Sequence, residues 1–93
     1  MRKVVATIGV DTKMKEDSNF QVFVMASTVR FDRNDWGRCC EEDCQVNDED
    51  PKSAMGVYVH TDGTKIWIKS DPYPEQENEP AHEVITILFP SEY

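Results

Sequence analysis

Asp62-Gly63 constrains the fold of this chain more than any other pair of residues, because it lies between two short apolar runs, residues 55–60 and 65–69. A type I′ turn needs positive φ at both central positions, which Asp-Gly accepts, so the spacing predicts a β-hairpin. A two-residue loop also sets the register. Val57 then faces Ile68 and Val59 faces Ile66 on one side, while Tyr58 faces Trp67 on the other. That cross-strand aromatic pair would contribute about 0.2–1 kcal/mol. The expected scaffold is therefore an antiparallel sheet.

Three further segments read as strands. Residues 3–10 are rich in Val and Ile. Residues 20–31 carry Phe20, Val22, Val24 and Ala26 on one face and Phe23, Met25, Val29 and Phe31 on the other, the pattern of a central strand covered on both sides. Residues 83–89 form the last, ended by Pro90. One short helix fits after Asn34 or Asp35, with Trp36, Cys39, Cys40 and Cys44 sharing a face. Residues 71–80 hold Pro72, Pro74 and Pro80 and no aliphatic side chain, so they read as a loop or a polyproline-like arm. The expected fold is mainly β, with α+β as the neighbouring class: an antiparallel sheet of about five strands and at most one short helix. At 93 residues the chain, 1–93, makes a single small domain.

The chain has 18 acidic and 10 basic residues, a net charge of -8, and the charge is uneven. Residues 32–50 have eight acids and two bases, and residues 71–83 have five acids and no base, whereas residues 1–31 and 51–70 are each net +2. This balance excludes a nucleic-acid binder working by bulk attraction, which needs a basic face. It also disfavours anionic membrane surfaces. In an up-and-down sheet the two acidic connections would share one end, where like charges repel unless a partner uses them. The candidate binding surface is Glu41, Glu42, Asp43, Asp48, Glu49, Asp50, Asp71, Glu75, Glu77 and Glu79, with Trp36 and Tyr73 as aromatic anchors. In an extended chain Glu75, Glu77 and Glu79 point the same way at about 6–7 Å spacing, close to that of phosphates along a nucleic-acid strand. Plainly solvated acidic loops are the alternative.

Cys39, Cys40 and Cys44 invite a metal reading, with His60 or His82 as a fourth ligand, but structural zinc sites use two cysteine pairs and here there is no second pair. No metal or cofactor is expected, and three free thiols suit a reducing cytoplasm. Acidic surroundings raise a thiol pKa and oppose a cysteine nucleophile. Residues 47–50 lack the glycine and closing Glu of a calcium loop, and the chain has no phosphate-binding glycine loop or nucleophile elbow. An enzyme is therefore not expected. The basic start, Met1-Arg2-Lys3, leads into a short apolar run that stops at Asp11 without a cleavage site, so no secretory leader is expected. No run reaches the ~18 apolar residues of a membrane span.

The expected function is that of a small acidic interaction protein that binds and inhibits a basic, nucleic-acid-handling protein. Phage anti-defence factors, nuclease inhibitors and immunity proteins offer the analogy, by size and charge alone. The partner would be a protein with a basic surface, with no direct nucleic-acid or membrane contact. One alternative is an assembly subunit that forms a homo-oligomer, at its simplest a homodimer, through its sheet. The third reading is a small zinc-binding domain using Cys39, Cys40 and Cys44.

Overall fold

The computed structural model describes residues 2–93; Met1, the first residue of the basic start, lies outside the described residues. Among these residues the chain forms β1 (Arg2–Ala6), α1 (Ile8–Glu16), α2 (Ser18–Asp32) and α3 (Glu41–Glu49). A 3-10 turn, Pro51–Ser53, leads to β2 (Met55–Val59), β3 (Lys65–Tyr73) and β4 (His82–Leu88), and a second, Pro90–Glu92, follows β4. The strands form one four-stranded sheet in the order β1-β4-β3-β2. β1 runs parallel to β4, and the other two pairs are antiparallel. The fold is thus α+β with a mixed sheet. The expectation of a mainly β chain with about five antiparallel strands and at most one short helix is overturned.

Capping decides where the helices begin. Residues 3–10 do not form one strand, because Thr7 ends β1 and its hydroxyl accepts a hydrogen bond from Val10 N at 3.5 Å as the N-cap of α1. Asp17 Oδ1 accepts from Asn19 N at 3.0 Å and Phe20 N at 3.2 Å, which starts α2 across the segment expected to be a central strand. Within it Phe20, Val24, Ser27 and Phe31 are buried, a stripe with helical spacing. The Ser27 hydroxyl satisfies itself by donating to Phe23 O at 2.8 Å. The helix expected after Asn34 or Asp35 begins only at Glu41, and its N-cap, Cys40, makes no side-chain capping bond.

The β2–β3 hairpin is present, but its register is shifted by one residue. Gly63 N donates to His60 O at 2.9 Å and His60 N donates to Thr64 O at 2.8 Å, so the loop has three residues, Thr61 to Gly63. Only Gly63, with φ of 91°, takes the left-handed conformation, as in a type I turn closed by a bulge. Tyr58 therefore pairs with Ile66 and Val57 with Trp67. A slip of one residue exchanges the two faces, so Tyr58 and Trp67 lie on opposite sides of the sheet.

The helices cover one face of the sheet. Val10, Phe20, Val24, Phe31 and Trp36 pack there against Tyr58, Ile66, Ile68, Ile85 and Ile87. Ser70 lies on the same face with no exposed surface, and its hydroxyl has no partner among the described residues. An orphaned buried hydroxyl costs about 1–3 kcal/mol, so Ser70→Ala is expected to raise stability by about 1 kcal/mol in urea denaturation. A loss of stability would show that the hydroxyl is paired. Among the described residues no α-helix packs over the other face of the sheet. At one end Tyr93 meets Trp67 edge to face, with ring centroids 5.5 Å apart.

The C-terminal turn also ties the chain's two ends together. Thr7 Oγ1 donates to Glu92 Oε1 at 2.6 Å, and Phe89 N donates to the same oxygen at 3.0 Å. The Thr7 hydroxyl, with the Phe89 and Gly9 N–H groups, holds the Glu92 carboxyl below the ordinary glutamate value of 4.5. A carboxyl held low stabilises the fold above its ordinary value, and that contribution is lost as the pH falls through its folded value. Glu92→Gln is therefore expected to lower the melting temperature at neutral pH, by an amount that shrinks as the pH falls below 4.5. A difference that does not change as the pH falls would show that the charge contributes nothing.

Candidate functional site

β3 and β4 outrun the rest of the sheet. β2 stops pairing at Met55 opposite Lys69, whereas β3 and β4 continue to Tyr73 opposite His82. Pro72 is tolerated there because β3 is an edge strand beyond the end of β2. Gln76 N donates to Glu79 O at 2.8 Å and Glu79 N donates to Gln76 O at 3.1 Å, which puts Glu77 and Asn78 in the closing turn. Residues 71–80 are thus part of a hairpin arm, not a loose loop or a polyproline segment. Glu75, Glu77 and Glu79 do not alternate along one extended strand: Glu77 is in the turn, and Glu75 and Glu79 lie on opposite limbs. The expected ladder at phosphate spacing is absent.

Beneath the arm runs a groove of about 850 Å³, within the ~300–1,000 Å³ range of ligand-sized sites. Pro51 and Lys52 line it from the turn after α3, and Pro72, Tyr73, Pro74, Ala81 and His82 line it from the arm. Asp32, at the end of α2, and Glu83 complete the lining. The Tyr73 and His82 rings are stacked, 5.3 Å apart and 8° from parallel, and Tyr73 is 45% exposed. The lining is rich in proline and aromatic surface and includes two acids, Asp32 and Glu83.

The acidic residues expected to act together divide into groups. Asp48, Glu49 and Asp50 immediately precede Pro51, and Glu75 and Glu79 flank the arm residues Pro74 and Pro80. These acids are next to lining residues in sequence but do not themselves line the groove, whose acids are Asp32 and Glu83. At the C-terminal end of α3 no basic residue offsets Asp48, Glu49 and Asp50, so they oppose the helix dipole, and helix stability does not account for them. Glu41, Glu42 and Asp43 occupy the first turn of α3, where the dipole favours carboxylates. They lie about 12 Å along the helix from its acidic end. Asp71 is paired with Lys69 Nζ at 3.4 Å.

The two aromatic anchors part company as well. Tyr73 lines the groove. Trp36 is 4% exposed and belongs to the core, packed edge to face on Phe31 at 5.3 Å, with its Nε1–H donating to Asp48 Oδ1 at 2.9 Å. Asp48 therefore has a structural role as well as a charge. Pro51 and Lys52 were not singled out by sequence reasoning, and His82 was considered only as a fourth metal ligand; the proline-rich stretch at residues 71–80 was the available signal.

The cysteines do not converge with the histidines. Cys39 Sγ donates to Met55 O at 3.3 Å, Cys44 Sγ donates to Cys39 O at 3.7 Å, and Cys40 is exposed. Desolvation raises the Cys39 and Cys44 thiols above their ordinary value, and the neighbouring carboxylates Asp43 and Asp48 add to the shift. His60 stacks on Phe23 at 4.7 Å, and His82 on Tyr73. Among the described residues no group of three or more His, Cys, Asp or Glu side chains is arranged to hold a metal ion. Nor is any helix among them long and apolar enough to cross a membrane.

No protein-family model, curated protein or solved structure matches this chain.

Proposed function

We propose that this chain is an acidic interaction protein that docks on a basic surface of another protein, one that handles nucleic acid, and inhibits it by occupying that surface. The observation that carries this reading is the groove lined by Pro51, Pro72, Tyr73 and Pro74 together with Asp32 and Glu83, with Glu49, Asp50, Glu75 and Glu79 close in sequence to its lining residues. A Lys- or Arg-rich segment carrying an aromatic or aliphatic residue suits it. The apolar residue seats on the prolines and Tyr73, and the bases meet the flanking carboxylates. The acids speed and orient encounter, and the apolar lining supplies contact area. Action by occupancy requires no catalysis and no cofactor, and the three free thiols suit a reducing cytoplasmic setting.

The test is titration of a short Lys/Arg-rich peptide containing one Trp, at low and high salt, followed by calorimetry. Glu49→Gln, Asp50→Asn, Glu75→Gln and Glu79→Gln combined are expected to weaken binding by about tenfold at low salt, and high salt is expected to weaken the wild type similarly. Glu41→Gln with Glu42→Gln, at the far end of α3, is the control and is expected to have a much smaller effect. Equal binding by the quadruple variant and the wild type would overturn the reading. Pull-down from lysate with the same variants would then identify the partner.

A further inference from the structure

We infer that the open edge of β1 is a second interaction surface, and that its occupant is β1 of another copy of this chain, paired antiparallel about a two-fold axis at Val4. The sheet has two outer edges, β1 and β2. The chain itself closes the edge of β2: Val57 N donates to Trp36 O at 3.0 Å, and Arg38 N donates to Val57 O at 2.7 Å. The edge of β1 stays open. In the parallel ladder Ala6 pairs with Ile87, and Thr7 N donates to Ile87 O at 3.0 Å. The main-chain groups of Lys3, Val5 and Thr7 therefore point to β4, and those of Val4 and Ala6 point away from it. Among the described residues the N–H and C=O groups of Val4 and Ala6 have no hydrogen-bond partner. Val4 is 54% exposed and Ala6 is exposed, so water reaches this edge.

A row of unpaired N–H and C=O groups calls for an extended strand, more specifically than an apolar face calls for any one partner. β1 suits itself. The axis makes the two Val4 residues a hydrogen-bonded pair and sets Ala6 of each copy opposite Arg2 of the other. Lys3 lies opposite Val5. A lysine on an edge ordinarily blocks pairing, but in this register neither Lys3 faces a like charge. The interface is isologous, so it closes as a dimer in which the two four-stranded sheets become one.

Charge selects the second copy and its direction. Diagonal to Lys3, next to Val5, is Thr7 of the other copy, whose hydroxyl donates to Glu92 Oε1 at 2.6 Å. The donors that hold the Glu92 carboxyl are the Thr7 hydroxyl and the Phe89 and Gly9 N–H groups, all neutral. Neither Lys3 nor Glu92 makes an ion pair among the described residues. Cross-strand diagonals are about 7–8 Å, within reach of a lysine, so Lys3 of each copy meets Glu92 of the other. The neighbouring charges do not offset this pair. Asp11 and Lys15 on α1 bind each other at 2.9 Å, Lys13 lies over the Phe20 ring, and Arg2 is the register partner of Glu83. A parallel copy would set Lys3 beside Lys3. Five-residue strands make a small contact, in the weak class below about 1,200 Å². The dissociation constant is expected between about 10 μM and 1 mM.

This edge is separate from the groove beneath the arm, and its test is independent of that reading. Sedimentation velocity of the purified chain from about 10 μM to about 1 mM is expected to show a monomer passing into a dimer. Over the same range hydrogen exchange at the Val4 and Ala6 amides is expected to slow by about fivefold. Val4→Pro removes an N–H that the β4 ladder does not use, and an edge strand tolerates proline there. It is expected to remain monomeric with unchanged far-UV circular dichroism. Lys3→Glu is expected to weaken dimerisation by about tenfold, since two exposed ion pairs per dimer become repulsions. A wild type that stays monomeric throughout would overturn the proposal. Association that persists in Val4→Pro, or that leaves the Val4 and Ala6 amides unprotected, would overturn this edge. An unchanged constant for Lys3→Glu would overturn the antiparallel register.

Discussion

Gly37→Ala is expected to cost about 3–5 kcal/mol. Two penalties combine at this position. Gly37 has φ of 71°, a left-handed conformation that costs a residue with a Cβ about 1–2 kcal/mol. An added Cβ would also be driven into the Val57 carbonyl oxygen and come within 2.9 Å of the Tyr58 ring. The segment around Gly37 closes the outer edge of β2: Val57 N donates to Trp36 O at 3.0 Å, and Arg38 N donates to Val57 O at 2.7 Å. Relieving the clash moves the segment away from β2 and loses both bonds, each worth about 1 kcal/mol. Gly63→Ala separates the two effects. Gly63 has φ of 91° but open space around the added Cβ, so only the conformational penalty applies, about 1–2 kcal/mol. Urea denaturation of the two variants checks this. Equal losses would show that the clash is absorbed and that the edge is not held closed through Gly37.

The parts of the fold legible in the sequence are those specified locally. The hairpin followed from alternation on both sides of Asp62-Gly63, and β4 followed from residues 83–89 with Pro90 as a stop. Loop length was not legible, because Thr61 joins the turn only when Asp62 turns its carboxylate to Thr64 N, at 2.8 Å, leaving Gly63 as the left-handed residue. That single added residue reversed the faces. α2 was misread for a different reason. Apolar residues surround it, so they satisfy a period of two as well as the helical period. Its length and the Asp17 cap, not its pattern, were the signals for a helix, since strands average about 5–6 residues. Val- and Ile-rich residues 3–10 concealed a strand-to-helix switch at Thr7. The site was legible as composition and not as geometry. The prolines and acids of residues 71–80 marked an arm, but its approach to Pro51 and Lys52 is tertiary and leaves no periodic trace. Trp36, apolar and flanked by charge, gave no sign that the core would claim it.

Tyr58→Ala is expected to cost about 3–5 kcal/mol, the range for removing a large buried aromatic side chain, while Trp67→Ala is expected to cost about 1–2 kcal/mol. The contrast follows from the register. Tyr58 has no exposed surface, and its hydroxyl donates to Asp35 O at 2.8 Å. The Arg30 guanidinium lies 5.3 Å from its ring, and burial raises the phenol pKa well above its ordinary value. Removing the ring opens a void beneath the helices and strands the network joining Arg30 and Asp35, whose side chains meet at 2.8 Å. Tyr58→Phe keeps the packing and gives up the hydrogen bond, so about 1 kcal/mol of the loss is assigned to the hydroxyl. Trp67 is half-buried on the face without helices, and the space left by its removal opens to water. A double-mutant cycle between the two positions is expected to show coupling below about 0.5 kcal/mol, as for side chains that share no contact. In the register set by a two-residue loop the two rings would be cross-strand neighbours. Comparable losses at the two positions, or coupling near about 1 kcal/mol, would put them back on one face and overturn the three-residue loop.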